Sequence, residues 1–80
     1  MNLEIVTPDK KIYEGEIRLI QVPGSKGSFE VLENHAPIVS TLEAGSIKVI
    51  DAAGEQEYYQ IESGVIEVTN NKIIVLAEIA

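Results

Sequence analysis

Ser63-Gly64-Val65-Ile66-Glu67-Val68-Thr69-Asn70-Asn71-Lys72-Ile73-Ile74-Val75-Leu76-Ala77-Glu78-Ile79 is the stretch that decides the fold class. Ile66 and Val68 alternate with Glu67. Side chains at i and i+2 share one face of a strand, so Val65 to Thr69 reads as a strand with a dry and a wet side. Asn70-Asn71 then tolerates positive φ at both positions, which is what a type I′ hairpin turn requires. The return strand runs from Lys72 to Ile79. Its run Ile73-Ile74-Val75-Leu76-Ala77 is apolar on both parities, which predicts a central strand covered on both faces.

Outward from this hairpin, the same pattern recurs about every ten residues. Leu3 and Ile5 alternate with Glu4 in a strand from Asn2 to about Thr7, ended by Pro8-Asp9-Lys10. A short strand at Ile12-Tyr13 precedes Gly15, and a longer one spans Glu16 to Val22. In the longer one Ile17 and Leu19 share one parity while Ile20 and Val22 share the other, so a bulge or a change of sheet belongs near Leu19-Ile20. Pro23 to Gly27 is a loop, because proline restricts φ and the two glycines permit positive φ. Further strands are expected at Ser28–Leu32, Ile38–Leu42, Ser46–Asp51 and Glu55–Glu62. Between the first two of these, Glu33 to Pro37 is irregular, since Pro37 pushes Ala36 out of the helical region. Isoleucine and valine dominate the apolar set, and branching at Cβ suits a pleated surface better than a helix. The expected architecture is all-β: a flattened β-sandwich or barrel of two roughly five-stranded sheets with no substantial helix.

Composition removes several function classes. Eighty residues allow one domain. With no cysteine there is neither a disulfide nor a thiolate ligand, and packing alone holds the chain. Thirteen acids against six bases, a net charge of −7, disfavour nucleic acid, whose phosphates need a basic surface. No run approaches the roughly 18 apolar residues of a helical membrane span, so direct membrane insertion is not expected.

Reactive groups are equally scarce. A single histidine, His35, excludes a two-histidine zinc motif. Pro23 to Gly27 lacks the spacing of a phosphate-cradling Gly-x-x-x-x-Gly-Lys-Ser/Thr loop, and Ser63-Gly64 lacks the Gly-x-Ser-x-Gly nucleophile elbow. Glu14 and Glu16, on either side of Gly15, read as solvated. No catalytic residue, cofactor or metal site is expected. Two features stand out against this background. His35-Ala36-Pro37 lies in a strand-poor stretch where the imidazole either bonds the local backbone or touches a partner. Ser25, Lys26, Glu30, Glu33 and Asn34 make a polar stretch suited either to solvent or to an interface rim. Tyr58 and Tyr59 are adjacent, so alternation sends them to opposite faces and they form no stacking platform. That weakens the alternative reading, a stand-alone small β-sandwich module binding a ligand or protein.

An ordered set of short motifs carries a resemblance. Val6-Thr7-Pro8, Tyr13-Glu14-Gly15-Glu16, Val22-Pro23-Gly24, Gly27, His35-Ala36-Pro37, Leu42, Gly45, Ser63-Gly64-Val65-Ile66-Glu67-Val68, Asn71-Lys72-Ile73 and Val75-Leu76-Ala77-Glu78 follow one another along the chain. Together they resemble the N-terminal domain of the epsilon subunit of F-type ATP synthase, called delta in mitochondria, over essentially the whole length. The resemblance implies a sandwich of two five-stranded sheets and a non-catalytic part of the ion-translocating complex. It implies a place in the central rotor stalk, bound to the gamma subunit and resting on the c-ring. The alpha/beta head would be reached only indirectly. The location implied is peripheral to the bacterial inner (plasma) membrane, on the cytoplasmic face.

The resemblance further directs the segment between Val22 and Pro37 at the ring and the adjoining foot of gamma, with Ser28, Glu30, Glu33 and His35 as candidate interface residues. The family commonly has an acid where Ser28 stands, and Glu30 and Glu33 replace a usual glycine and proline. Most bacterial members continue beyond the equivalent of Ala77-Glu78 into two helices that restrain ATP hydrolysis and in some bind ATP. The expectation is one domain over residues 1–80 without that hairpin, which supports coupling but neither inhibits through a helical tail nor binds ATP.

Overall fold

A computed structural model describes residues 1–79. Eight strands make up its regular structure: β1 Asn2–Val6, β2 Lys11–Val22, β3 Phe29–Leu32, β4 Ile38–Leu42, β5 Gly45–Asp51, β6 Gln56–Ile61, β7 Ser63–Thr69 and β8 Lys72–Glu78. There is no helix among the described residues. Five strands form one sheet in the order β4-β7-β8-β1-β2, and β2 continues into a second sheet where it lies between β3 and β5, with β6 beyond β5. The second sheet therefore has four strands rather than five. All neighbours pair antiparallel except β1 and β8, which run parallel.

The two segments expected around Gly15 are one continuous strand, because Gly15 pairs in register with Leu3 and needs no turn. The phase change expected within that strand is present as a bulge between Ile17 and Leu19. There the partner in β5 advances by only one residue, from Asp51 to Ile50. The extra residue, Arg18, is exposed, and the bulge lets Ile17 and Ile20 both face inward despite their opposite parities.

The core is entirely aliphatic apart from its rim. Leu3, Ile5, Ile20, Ile47, Ile61, Ile66, Ile73 and Val75 are all completely buried, and no polar residue is buried with them. Two flanking contacts close the sandwich. Tyr13 and Tyr59 meet edge to face with ring centroids 6.0 Å apart, while Phe29 and Ile38 pack against the core from β3 and β4. Tyr58 is exposed and Tyr59 half-buried, on opposite faces as alternation requires. In the hairpin from which the fold was read, Asn70 and Asn71 have φ of 50° and 61°, as a type I′ turn needs. At the far end of the same hairpin, Gly64 lies so close to β8 that a Cβ there would stand 2.7 Å from the Leu76 carbonyl oxygen.

A further expectation fails. β8 is central, between β7 and β1, but it is covered on one face only: Ile73, Val75 and Ala77 point into the core while Leu76 is 56% exposed. Two layers leave each sheet with an open outer face, and among the described residues nothing folds over it. Val75→Ala is accordingly expected to cost roughly 1–4 kcal/mol in urea denaturation, and Leu76→Ala less than about 0.5 kcal/mol. Equal losses at the two positions would contradict the one-sided burial.

Tyr59 supplies a pH-dependent contribution. Burial, followed by its hydrogen bond to Glu57 (2.8 Å), pushes the phenol up from 10.0 to about 12. The folded chain thus holds this proton more tightly than the unfolded one. The associated stability is complete below about pH 10 and disappears as pH rises toward 12. Tyr59→Phe should keep the ring packing and flatten the fall in melting temperature between pH 10 and 12, followed by alkaline thermal melts.

Candidate functional site

The segment from Pro23 to Pro37 is two loops at opposite ends of β3. The first, Pro23 to Ser28, is stitched to β4. Ser25 N–H donates to the Thr41 carbonyl (3.0 Å), Thr41 Oγ1 donates to Ser25 Oγ (2.9 Å), and Glu43 N–H donates to the Pro23 carbonyl (2.8 Å). Gly24 is buried there, and a Cβ on it would lie 2.6 Å from the Gly27 carbonyl oxygen, so the loop closes only around glycine. The second loop, Glu33 to Pro37, is tied to the β7–β8 turn: Asn34 N–H donates to Asn71 Oδ1 (2.9 Å), and Asn34 itself has φ of 66°.

The four candidate residues are strung along one edge. Ser28 precedes β3, its hydroxyl accepting from Gln21 Nε2 (3.2 Å); Glu30 is exposed on β3; Glu33 is exposed just beyond it. His35 is half-buried in the turn, with Nδ1 2.7 Å from the Ala36 carbonyl oxygen, which is the backbone bond weighed from the sequence. They share the β3 border of the sandwich but do not converge on a single point, and no catalytic geometry arises among them. No group of three or more His, Cys, Asp or Glu is arranged to hold a metal ion among the described residues.

A second surface lies on one sheet face, whose residues the sequence did not single out. On the outer face of the five-stranded sheet, Thr41 lies opposite Val65, Val65 opposite Leu76, and Leu76 opposite Val6. This row crosses four strands at right angles and lines an open groove of about 550 Å³ with Pro8, Ser63 and Glu78 at its border. The next row adds Val39, which is 68% exposed, and Ile74, interleaved with Glu67 and Glu4. Lys11 lies in the same region, bridging Glu14 (3.0 Å) and Glu4 (3.4 Å). The Glu14 hydrogen bond first, then that to Glu4, raises its ammonium above the usual 10.5. The signal was present in the both-parity apolar run of β8. It was read as two-sided burial because a strand sequence alone does not say whether a second layer exists on its far side.

Comparison with known proteins decides the family. The family described as "ATP synthase, Delta/Epsilon chain, beta-sandwich domain" matches residues 1–80. The chain belongs to this family. It is 42% identical over 78 residues to the ATP synthase epsilon chain of Campylobacter lari, a match covering 98% of this chain and 60% of that protein. The chain thus spans about 60% of the length of this curated relative. Two solved structures share the fold. One is a chain of the Euglena gracilis mitochondrial ATP synthase, OSCP/F1/c-ring assembly. It matches with TM-score 0.87 and 22% identity over 94% of this chain and 48% of that one. The other is a chain of the Tetrahymena thermophila mitochondrial ATP synthase, central stalk/c-ring assembly. It matches with TM-score 0.80 and 15% identity over 98% of this chain and 63% of that one. Delta/epsilon chains are non-catalytic accessory subunits, and this chain is of that kind.

The clamp between the second loop and the β7–β8 turn gives a local test. Asn71→Ala removes both the acceptor for Asn34 N–H and the tolerance for φ of 61°. It should lower stability by about 1–2 kcal/mol, while Asn71→Gly recovers the backbone part alone. Equal denaturation midpoints for the two variants would show that the left-handed backbone contributes nothing.

Proposed function

We propose that this chain is the stalk wedge of an F-type ATP synthase, joining the gamma subunit to the c-ring so that ion-driven rotation reaches the catalytic head. The observation that carries this reading is the apolar row Val65–Leu76–Val6 on the outer face of the five-stranded sheet, exposed at Val65 and Leu76 and half-buried at Val6. The wholly aliphatic interior beneath it holds that row rigid. Gamma docks on this face. Contiguous exposed aliphatics on a soluble domain mark a partner site, and burial at such a centre supplies most of an interface's affinity. The β3 border, with Ser28, Glu30, Glu33 and His35, faces the polar loops of the ring.

The mechanical logic follows from the packing. Torque transmission needs a body that deforms little, and interdigitated side chains at crystal-like density have low compressibility. The relatives described as central stalk/c-ring and F1/c-ring chains support the same placement through their shared fold. The peripheral position at the cytoplasmic face of the bacterial plasma membrane follows from binding gamma and the ring rather than from any lipid contact of its own.

A pull-down with purified gamma tests this. The unsubstituted chain should retain gamma. Leu76→Glu places an uncompensated charge at the centre of the apolar row and should weaken retention by about tenfold or more at unchanged circular dichroism. Retention unaffected by Leu76→Glu, or no retention by the unsubstituted chain, would remove the proposal.

A further inference from the structure

Three of the sheet borders are blunted and one is not. The larger sheet ends at β4, whose outer edge is covered: Ser25 N–H donates to the Thr41 carbonyl (3.0 Å) and Gly24 bridges Leu42. Its other border, the first half of β2, carries Lys11, Glu14 and Glu16. β3, at one end of the smaller sheet, is only four residues long and carries Glu30. β6, at the opposite end, is six residues long and follows β5 in unbroken register. Its sequence, Gln56-Glu57-Tyr58-Tyr59-Gln60-Ile61, has no proline, no lysine and no bulge, so the features that keep exposed edges apart are missing.

The turn that joins β5 to β6 fixes which backbone groups point outward. Asp51 N–H donates to the Glu55 carbonyl (2.9 Å), which makes these two a hydrogen-bonded pair. Such pairs alternate along antiparallel strands, so the backbone groups of Glu57, Tyr59 and Ile61 turn toward β5. Those of Gln56, Tyr58 and Gln60 face away from the sheet, and among the described residues no backbone group bonds to them. An antiparallel second copy engages all of these groups in one symmetric register only. Tyr58 then lies opposite Tyr58 of the second copy, and Gln56 opposite Gln60 of the second copy. The outer face of that junction is neutral. On the other face each Glu57 stands opposite a Tyr59 and never opposite the second Glu57, so no like charges meet directly.

We infer that β6 is a self-pairing edge: two copies of this chain join antiparallel through Gln56, Tyr58 and Gln60, about a two-fold axis at Tyr58. The axis uses up both β6 edges, so pairing stops at two copies. The contact is small and each chain carries a net charge of −7, which makes the dimer weak, reversible and stronger at high salt. The apolar row of the larger sheet and the β3 border lie elsewhere on the sandwich, so the inference stands apart from the stalk reading.

Sedimentation equilibrium of the unsubstituted chain from about 10 μM to 1 mM tests the pairing. A monomer–dimer equilibrium is expected, moving toward dimer as sodium chloride rises from about 50 to 300 mM. Tyr58→Lys sets two ammonium groups against each other at the axis. Tyr58 is 62% exposed, so this variant should keep the circular dichroism and melting temperature while dimerising about tenfold more weakly. Gln56→Lys with Gln60→Glu brings opposite charges together between the copies and should tighten the dimer, whereas Gln56→Lys with Gln60→Lys should weaken it. Raising the concentration should slow amide hydrogen exchange at Gln56, Tyr58 and Gln60 and leave Glu57 and Tyr59, already bonded to β5, unchanged. A monomer at every concentration, assemblies larger than two, or an affinity indifferent to Tyr58→Lys overturns the inference. So does protection of the outward amides in dilute solution only when purified gamma is added, which would assign the edge to gamma instead.

Discussion

The bulge between Ile17 and Leu19 is the constraint on which the rest depends. Twelve residues of β2 serve two sheets, and the strand does so only because one extra residue, Arg18, is expelled to solvent and reverses which parity faces inward. Upstream, β2 closes the five-stranded sheet against β1; downstream it is the inner strand of the four-stranded sheet, between β3 and β5. Without the phase change, either Ile17 or Ile20 would face water and one sheet would lose its inner surface. The bulge thus converts a single strand into the hinge of a two-layer body, and both candidate surfaces take their orientation from it.

The two surfaces differ in physical kind. On the outer face of the larger sheet, aliphatic side chains stand exposed in a row among glutamates. That arrangement suits a permanent contact whose centre is dry and whose rim is polar. Along the β3 border the exposed Ser28, Glu30 and Glu33 surround a single exposed apolar residue, Leu32, and the loops at both ends of the strand are pinned by hydrogen bonds of their backbone. That arrangement suits a polar contact whose geometry is set in advance. A subunit that grips one partner while touching another needs both kinds, carried on one stiff frame.

Much of the frame was legible in the residues. Alternation at Leu3/Ile5 and Ile66/Val68, the Asn70-Asn71 turn and the conflicting parities in Glu16 to Val22 each gave the correct local structure, because each is settled by neighbours within a few positions. Gly15 misled, since glycine breaks a strand in one setting and pairs quietly in another. The candidate residues on the β3 border were named from the resemblance, yet they were pictured as one loop. The pairing of Phe29 to Leu32 with β2 spreads them along an edge instead.

The chain's own letters determined the β-class, the hairpin turn and, through the ordered motifs, the family. The periodicity and turn chemistry behind the first two are short-range. Only the tertiary structure decided which apolar side chains stay wet. Val65, Leu76 and Val6 are as hydrophobic as Ile66, Val75 and Ile5, and burial depends on whether a second layer packs over a given face.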